Sequence, residues 1–142
     1  MGGFVNSVRK ALLDHYFGKS TLTAPTIYVG LSSTTPTVAG ENVTEPTEGG
    51  YARIQTAASD WNAATSADPA ELTNANNITF SVATEAWAAG NDLTYGILFD
   101  APTNGNVIGF GKLTIAKKFL EGDVAQISVG NLKVQLATVA DV

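Results

Sequence analysis

The sequence predicts a mainly β protein: a single β-sandwich, jelly-roll or Greek-key-like, with one N-terminal α-helix. Three observations predict it. Apolar residues alternate with a period of two along most of the chain, clusters of Gly, Pro and Asn separate the alternating stretches, and a helical period occurs only near the start. At 142 residues the chain fits one domain that buries a core without staples. The expected organisation is an amphipathic helix over residues 1–18, packed on the domain or on a neighbour, and a β-sandwich over 19–142.

Taken in order, residues 4–17 place Phe4, Val8, Leu12 and Tyr16 at intervals of four, with Val5 and Leu13 alongside and Arg9, Lys10 and Asp14 mainly opposite. Gly18 follows as a C-terminal stop that can take positive φ, and His15 sits near the negative end of the helix dipole. Residues 26–31 then alternate, with Ile27, Val29 and Leu31 on one face. Residues 51–56 are a shorter, more polar strand. In 77–82, Ile78, Phe80 and Val82 are expected inward, and in 93–99, Leu93, Tyr95, Ile97 and Phe99 share a face. Residues 107–113 put Ile108 and Phe110 together, with Gly109 and Gly111 marking a bulge or close backbone packing. Residues 124–129 and 132–136 complete the set, the latter with Leu132, Val134 and Leu136 inward. The pair Asn104-Gly105 predicts a tight turn with positive φ. Residues 32–50 and 57–76 read as long loops, a length that is usually functional or disordered.

Composition excludes several functions. Without cysteine there is neither a disulfide framework nor a thiolate metal site. Eight basic against thirteen acidic residues, net −5, leave too little positive charge for a phosphate-binding surface, so no nucleic acid is expected. Apolar runs such as 97–99 are too short to insert in a membrane, and the first residues lack the basic and apolar regions of a secretory signal. Charged residues make up 15% of the chain, against about 25% in average soluble domains. A surface so poor in charge favours a subunit whose faces are hidden in an assembly, and a homo-oligomer is expected.

No catalytic set is expected. His15 lacks a nucleophile and an orienting acid, and the carboxylates lie in loops rather than in apolar strands that would raise their pKa. Asp100, Asn104 and Asn106 are oxygen-rich but lack a calcium-loop pattern, and Asx residues are ordinary turn formers, so neither metal nor cofactor is expected. The candidate contact residues are Phe4, Val5, Val8 and Leu12, for packing on the sandwich or a neighbouring subunit, and Trp61, an aromatic in a polar loop suited to a partner or ligand. Trp87, after the strand 77–82, is expected to close the end of the core.

Several segments together carry a resemblance: Ile27-Tyr28-Val29-Gly30-Leu31, Gly49-Gly50-Tyr51-Ala52-Arg53, Asn77-Ile78-Thr79-Phe80 and Trp87, then Gly96-Ile97-Leu98-Phe99-Asp100, Gly109-Phe110-Gly111 and Leu132-Lys133-Val134-Gln135-Leu136. From about Ala11 to Leu136 the chain resembles a family of small tailed-bacteriophage proteins described as tail-fibre-like or minor virion structural proteins. The resemblance implies a compact β-sandwich without catalytic residues, assembled in the host cytoplasm into the virion beside tail, neck or major capsid proteins. A tail or neck fibre-like module is the leading expectation. A capsid decoration protein that stabilises the shell is the alternative, and a host-glycan-binding module using Trp61 is the reading from another class.

Overall fold

A computed structural model of the chain describes residues 2–137; Met1 and residues 138–142, the end of the expected 19–142 unit, lie outside the described residues. The elements in chain order are β1 (Gly2–Phe4), α1 (Asn6–Tyr16), β2 (Tyr28–Ser32), β3 (Ile54–Gln55), β4 (Ala70–Thr73), β5 (Ile78–Thr79), β6 (Leu93–Phe99), β7 (Val107–Lys117), β8 (Gln126–Ile127) and β9 (Lys133–Leu136). Seven strands form one open sheet in the order β3-β2-β6-β7-β1-β9-β4, and β5 pairs with β8 in a separate two-stranded ribbon. The arrangement is mainly β and sandwich-like, and the large sheet ends on β3 and β4 instead of closing into a barrel.

The core splits across the large sheet. On one face Val29, Leu31, Leu93, Leu98 and Ile108 meet Ile78, Phe80, Trp87, Phe119 and Ala125. A smaller cluster holds Val5, Ile97, Phe99 and Val107. Trp87 is wholly buried, as expected of a residue that closes the core, with the rings of Tyr51, Phe80 and Phe119 around it. Its indole N–H donates to the Gly49 carbonyl at 3.0 Å. Gly49 has φ +66°, and a Cβ there would lie 2.8 Å from the Trp87 ring, so the position requires glycine.

A register shift explains one departure from simple alternation. Leu98 pairs with Gly109 and Phe99 with Val107, which leaves Ile108 as an inserted residue. The extra residue turns Ile108 toward the larger cluster and leaves Phe110 against the smaller one, so the two do not share a face. The same strand pair shifts register between Leu93 and Tyr95, which sends Leu93 to the larger cluster while Tyr95, Ile97 and Phe99 keep to the smaller. Gly109 also lets β1 approach, since a Cβ there would sit 2.6 Å from the Gly3 carbonyl oxygen.

Further differences have equally local causes. The helix begins at Asn6 because Gly2–Phe4 is taken into the sheet, antiparallel to β7 and parallel to β9. Val82, Val124 and Val129 are exposed: regular pairing is confined to Ile78–Thr79 with Gln126–Ile127, and beyond it the two segments stay together only through single backbone bonds, from the Phe80 N–H to the Ala125 carbonyl and from the Ala83 N–H to the Asp123 carbonyl. Residues 57–76 are a hairpin-like arm instead of a loop. Asn62 and Thr65 donate backbone N–H groups to Thr73 and Glu71, and β4 pairs along β9. Residues 32–50 have no regular strand beyond Ser32, but hydrogen bonds of Ser32, Thr34 and Asn42 fold them back on themselves. In the turn after β6, Asn104 and Gly105 both take positive φ, as their pairing predicts.

Candidate assembly interface

The motif Gly49-Gly50-Tyr51-Ala52-Arg53 builds a buried polar cluster that sets the sheet edge. The Arg53 guanidinium donates through Nε and Nη2 to the Glu45 carboxylate, at 2.7 to 3.1 Å. Through Nη1 it also donates to the carbonyls of Ala101 and Asn104, at 2.7 and 2.8 Å. Its central carbon lies over Phe99, 3.3 Å from the ring centroid. The Tyr51 hydroxyl donates to Glu45 and accepts the Leu31 N–H. Burial, followed by the charge of Glu45, holds the Tyr51 phenol far above its ordinary pKa, so it stays a neutral donor. Each of these charges is answered inside the chain, which makes the cluster an internal clamp joining 45–53 to the 100–106 turn.

Other carboxylates are likewise occupied by neighbouring N–H groups. The Asn106 backbone and side-chain amides hold the Asp100 carboxyl below its usual range. The Ala57 N–H and the Asn76 amide do the same for Asp60. Among the described residues there is no cluster of three or more His, Cys, Asp or Glu able to hold a metal ion, and no helix is long and apolar enough to cross a membrane.

The helix presents a different chemistry. Its C-terminus is closed as Gly18 predicts: Gly18, at φ +71°, donates to the His15 carbonyl and Lys19 donates to the Asp14 carbonyl. The His15 Nδ1 accepts the Leu22 N–H at 3.1 Å, which brings Leu22 back beside the helix end. At the other end, Asn6 donates to the Val38 carbonyl, satisfying one of the donors that a helix start leaves unpaired. Of the four apolar residues expected to pack, Val5 is 1% exposed and lies within the chain's own core. Phe4 and Val8 are half-buried against that core, and Leu12 is half-buried. No helix residue is fully buried. The apolar stripe then runs out into solvent, where Leu13 is 62%, Tyr16 88% and Phe17 74% exposed.

A second apolar surface lies on the large sheet. Phe4, Ile27, Leu98, Ile108 and Val134 form the floor of a groove of about 640 Å³, with Trp61, Ala64 and Leu72 of the 57–76 arm along its side. Trp61 is half-buried and donates its indole N–H to Thr56 Oγ1 at 3.0 Å, leaving the ring along the groove. The sequence shows Trp61 only as an aromatic in a polar stretch. The groove itself is invisible there, because its floor comes from five separate segments that topology brings together.

No curated protein matches the chain. A family model described as Podophage GP4 fiber I protein gp80 matches it over residues 3–135, which takes in the clamp, the helix and the groove alike. The chain belongs to this family of bacteriophage fibre structural proteins.

Proposed function

We propose that the chain is a non-enzymatic fibre module at the tail or neck of the particle, built as a homo-oligomer and docked on other virion proteins. Residues 1–18 act as an arm whose first strand is locked in the sheet and whose helix is offered to a neighbour; residues 19–142 carry the sandwich. One observation carries the reading. In a fold that answers its buried charges internally, the apolar end of α1 at Leu13, Tyr16 and Phe17 is left uncovered. Contiguous exposed apolar surface rimmed by polar residues marks a contact site.

The site of attachment follows from the partner. Tail and capsid fractions of dissociated particles, passed over the immobilised full chain, are expected to separate, with the tail or neck fraction retained. Retention of the major capsid protein instead would make the chain a decoration protein. A glycan-binding role receives less support, because the indole N–H of Trp61 is already donated within the chain and its neighbours in the groove are mostly apolar. Glycan binding that disappears in Trp61→Ala would restore it.

A further inference from the structure

We infer that the exposed end of α1 in one copy seats in the Trp61 groove of a second copy, so that chains associate head to tail. The inference rests on the fibre-module reading and names the contact that such a module uses. The helix end and the groove are unlike surfaces, and a contact between unlike surfaces is heterologous: it closes into a ring or continues as a filament, unlike the two-fold pairing of one patch with itself.

Three features support this occupant. First, the groove is not filled by the chain's own helix. Its lining includes Phe4 but no residue of α1, while Leu13, Tyr16 and Phe17 stay exposed. Second, the charges are complementary. Residues 2–22 carry Arg9, Lys10 and Lys19 against Asp14, in a chain whose net charge is −5. The 57–76 arm carries Asp60, Asp68 and Glu71 with no Lys or Arg, and Lys133 on the adjoining strand is paired with Glu71 at 3.5 Å. Lys10 is itself paired with Asp14, so Arg9 and Lys19 carry the net positive charge of the helix segment toward an arm whose net charge is negative.

Third, the helix end offers apolar anchors of the kind such a groove takes. Covering Tyr16, Phe17 and Leu13 removes about 400 Å² from water, taking about 150–250 Å² for a fully covered aromatic ring. Aromatic anchors in an apolar groove are also the usual carriers of interface energy.

The test uses the full chain and two variants that alter exposed side chains only. Tyr16→Ser/Phe17→Ser removes the anchor, and Ala64→Glu places a charge in the groove. Sedimentation velocity is run on each protein and on an equimolar mixture, with Trp fluorescence as a check that each is folded. The wild type is expected to associate, and each variant alone to weaken association by at least about 30-fold, the effect of losing a hot-spot contact. The mixture is expected to form a capped one-to-one dimer, because one variant keeps a working groove and the other a working helix. Raising the salt concentration is expected to weaken the wild-type contact. An Ala64→Glu variant that associates like the wild type overturns the inference, and so does a mixture that stays monomeric. A monomeric wild type that still binds the tail fraction overturns this contact and leaves the fibre reading standing. A monomer that binds no virion fraction overturns both.

Discussion

Replacing Arg53 with Met keeps most of the side-chain volume and deletes its charge and donors. In the native chain only 8% of the Arg53 side chain and 20% of that of Glu45 is exposed, so the pair sits largely out of water. The substitution strands the Glu45 carboxylate and leaves the carbonyls of Ala101 and Asn104 without this donor. It also removes the guanidinium charge over the Phe99 ring. Breaking a buried ion pair from one side costs about 3–5 kcal/mol, a large share of the roughly 5–15 kcal/mol that stabilises a domain. For a chain of this size that corresponds to a fall in Tm of roughly 10–20 °C. The assay is urea unfolding followed by Trp fluorescence, since Trp87 is held to the adjacent Gly49 carbonyl and reports directly on this region. The midpoint is expected to fall with the slope unchanged. Glu45→Gln/Arg53→Met should lose less than the two single variants added together, because the second change removes the stranded partner. A loss below about 1 kcal/mol for Arg53→Met, or strict additivity in the double variant, would refute the clamp.

Three further outcomes follow from the same geometry. Gly109→Ala is expected to cost about 1–3 kcal/mol through overpacking against the Gly3 carbonyl, while Gly3→Ala, whose Cβ would meet nothing within 4 Å, changes the unfolding midpoint little; equal effects would contradict the close approach of β1 and β7. Asn74 is wholly buried, donates to the carbonyls of Asn76 and Ser128 and accepts the Leu132 N–H. Asn74→Asp is therefore expected to cost at least about 3 kcal/mol at pH 7, partly regained relative to wild type near pH 4 as the new acid protonates; a pH-independent loss would count against this role. Finally, local hydrogen bonds hold the carboxyls of Glu48, Asp60, Glu71 and Asp100 below their usual pKa values. Their contribution is complete above the unfolded carboxylate values of about 4 and is lost as pH falls through the lower folded values, so the urea midpoint should hold from pH 7 to 5 and drop below about pH 4. A midpoint unchanged at pH 3 would contradict it.

How much of this was legible in the sequence depends on what decides each element. In β6 the register shift turned Leu93 away from the face shared by Tyr95, Ile97 and Phe99, and in the stretch 132–136 Leu132 and Val134 are half-buried but Leu136, expected inward, is exposed at the end of β9. Strand β2 read directly, because a strand with one face on the core imposes a period of two on its own residues. The opposite placement of Ile108 and Phe110 did not, since the inserted residue arises from pairing with Leu98 and from the approach of β1. Strand β1 itself, Gly2–Phe4, is three residues with two glycines and carries no periodic signal; only its partners β7 and β9 make it a strand. Strand β4 escaped for a similar reason, as Ala70-Glu71-Leu72-Thr73 has weak strand propensity and is held by its ladder with β9. At the candidate interface the stripe through Phe4, Val8, Leu12 and Tyr16 was legible as apolar periodicity. Periodicity does not say which end is covered. The sheet captures the start through β1 and Val5 and leaves the end at Tyr16 in solvent.

The native mass of the full chain, measured by light scattering during size-exclusion chromatography over a range of concentrations, tests the central claim most directly. A self-associating fibre module gives a defined multiple of the 14.7 kDa chain that reverts to a monomer in Tyr16→Ser/Phe17→Ser. A wild type that stays a monomer at every concentration, or a variant that keeps the full mass, would contradict it.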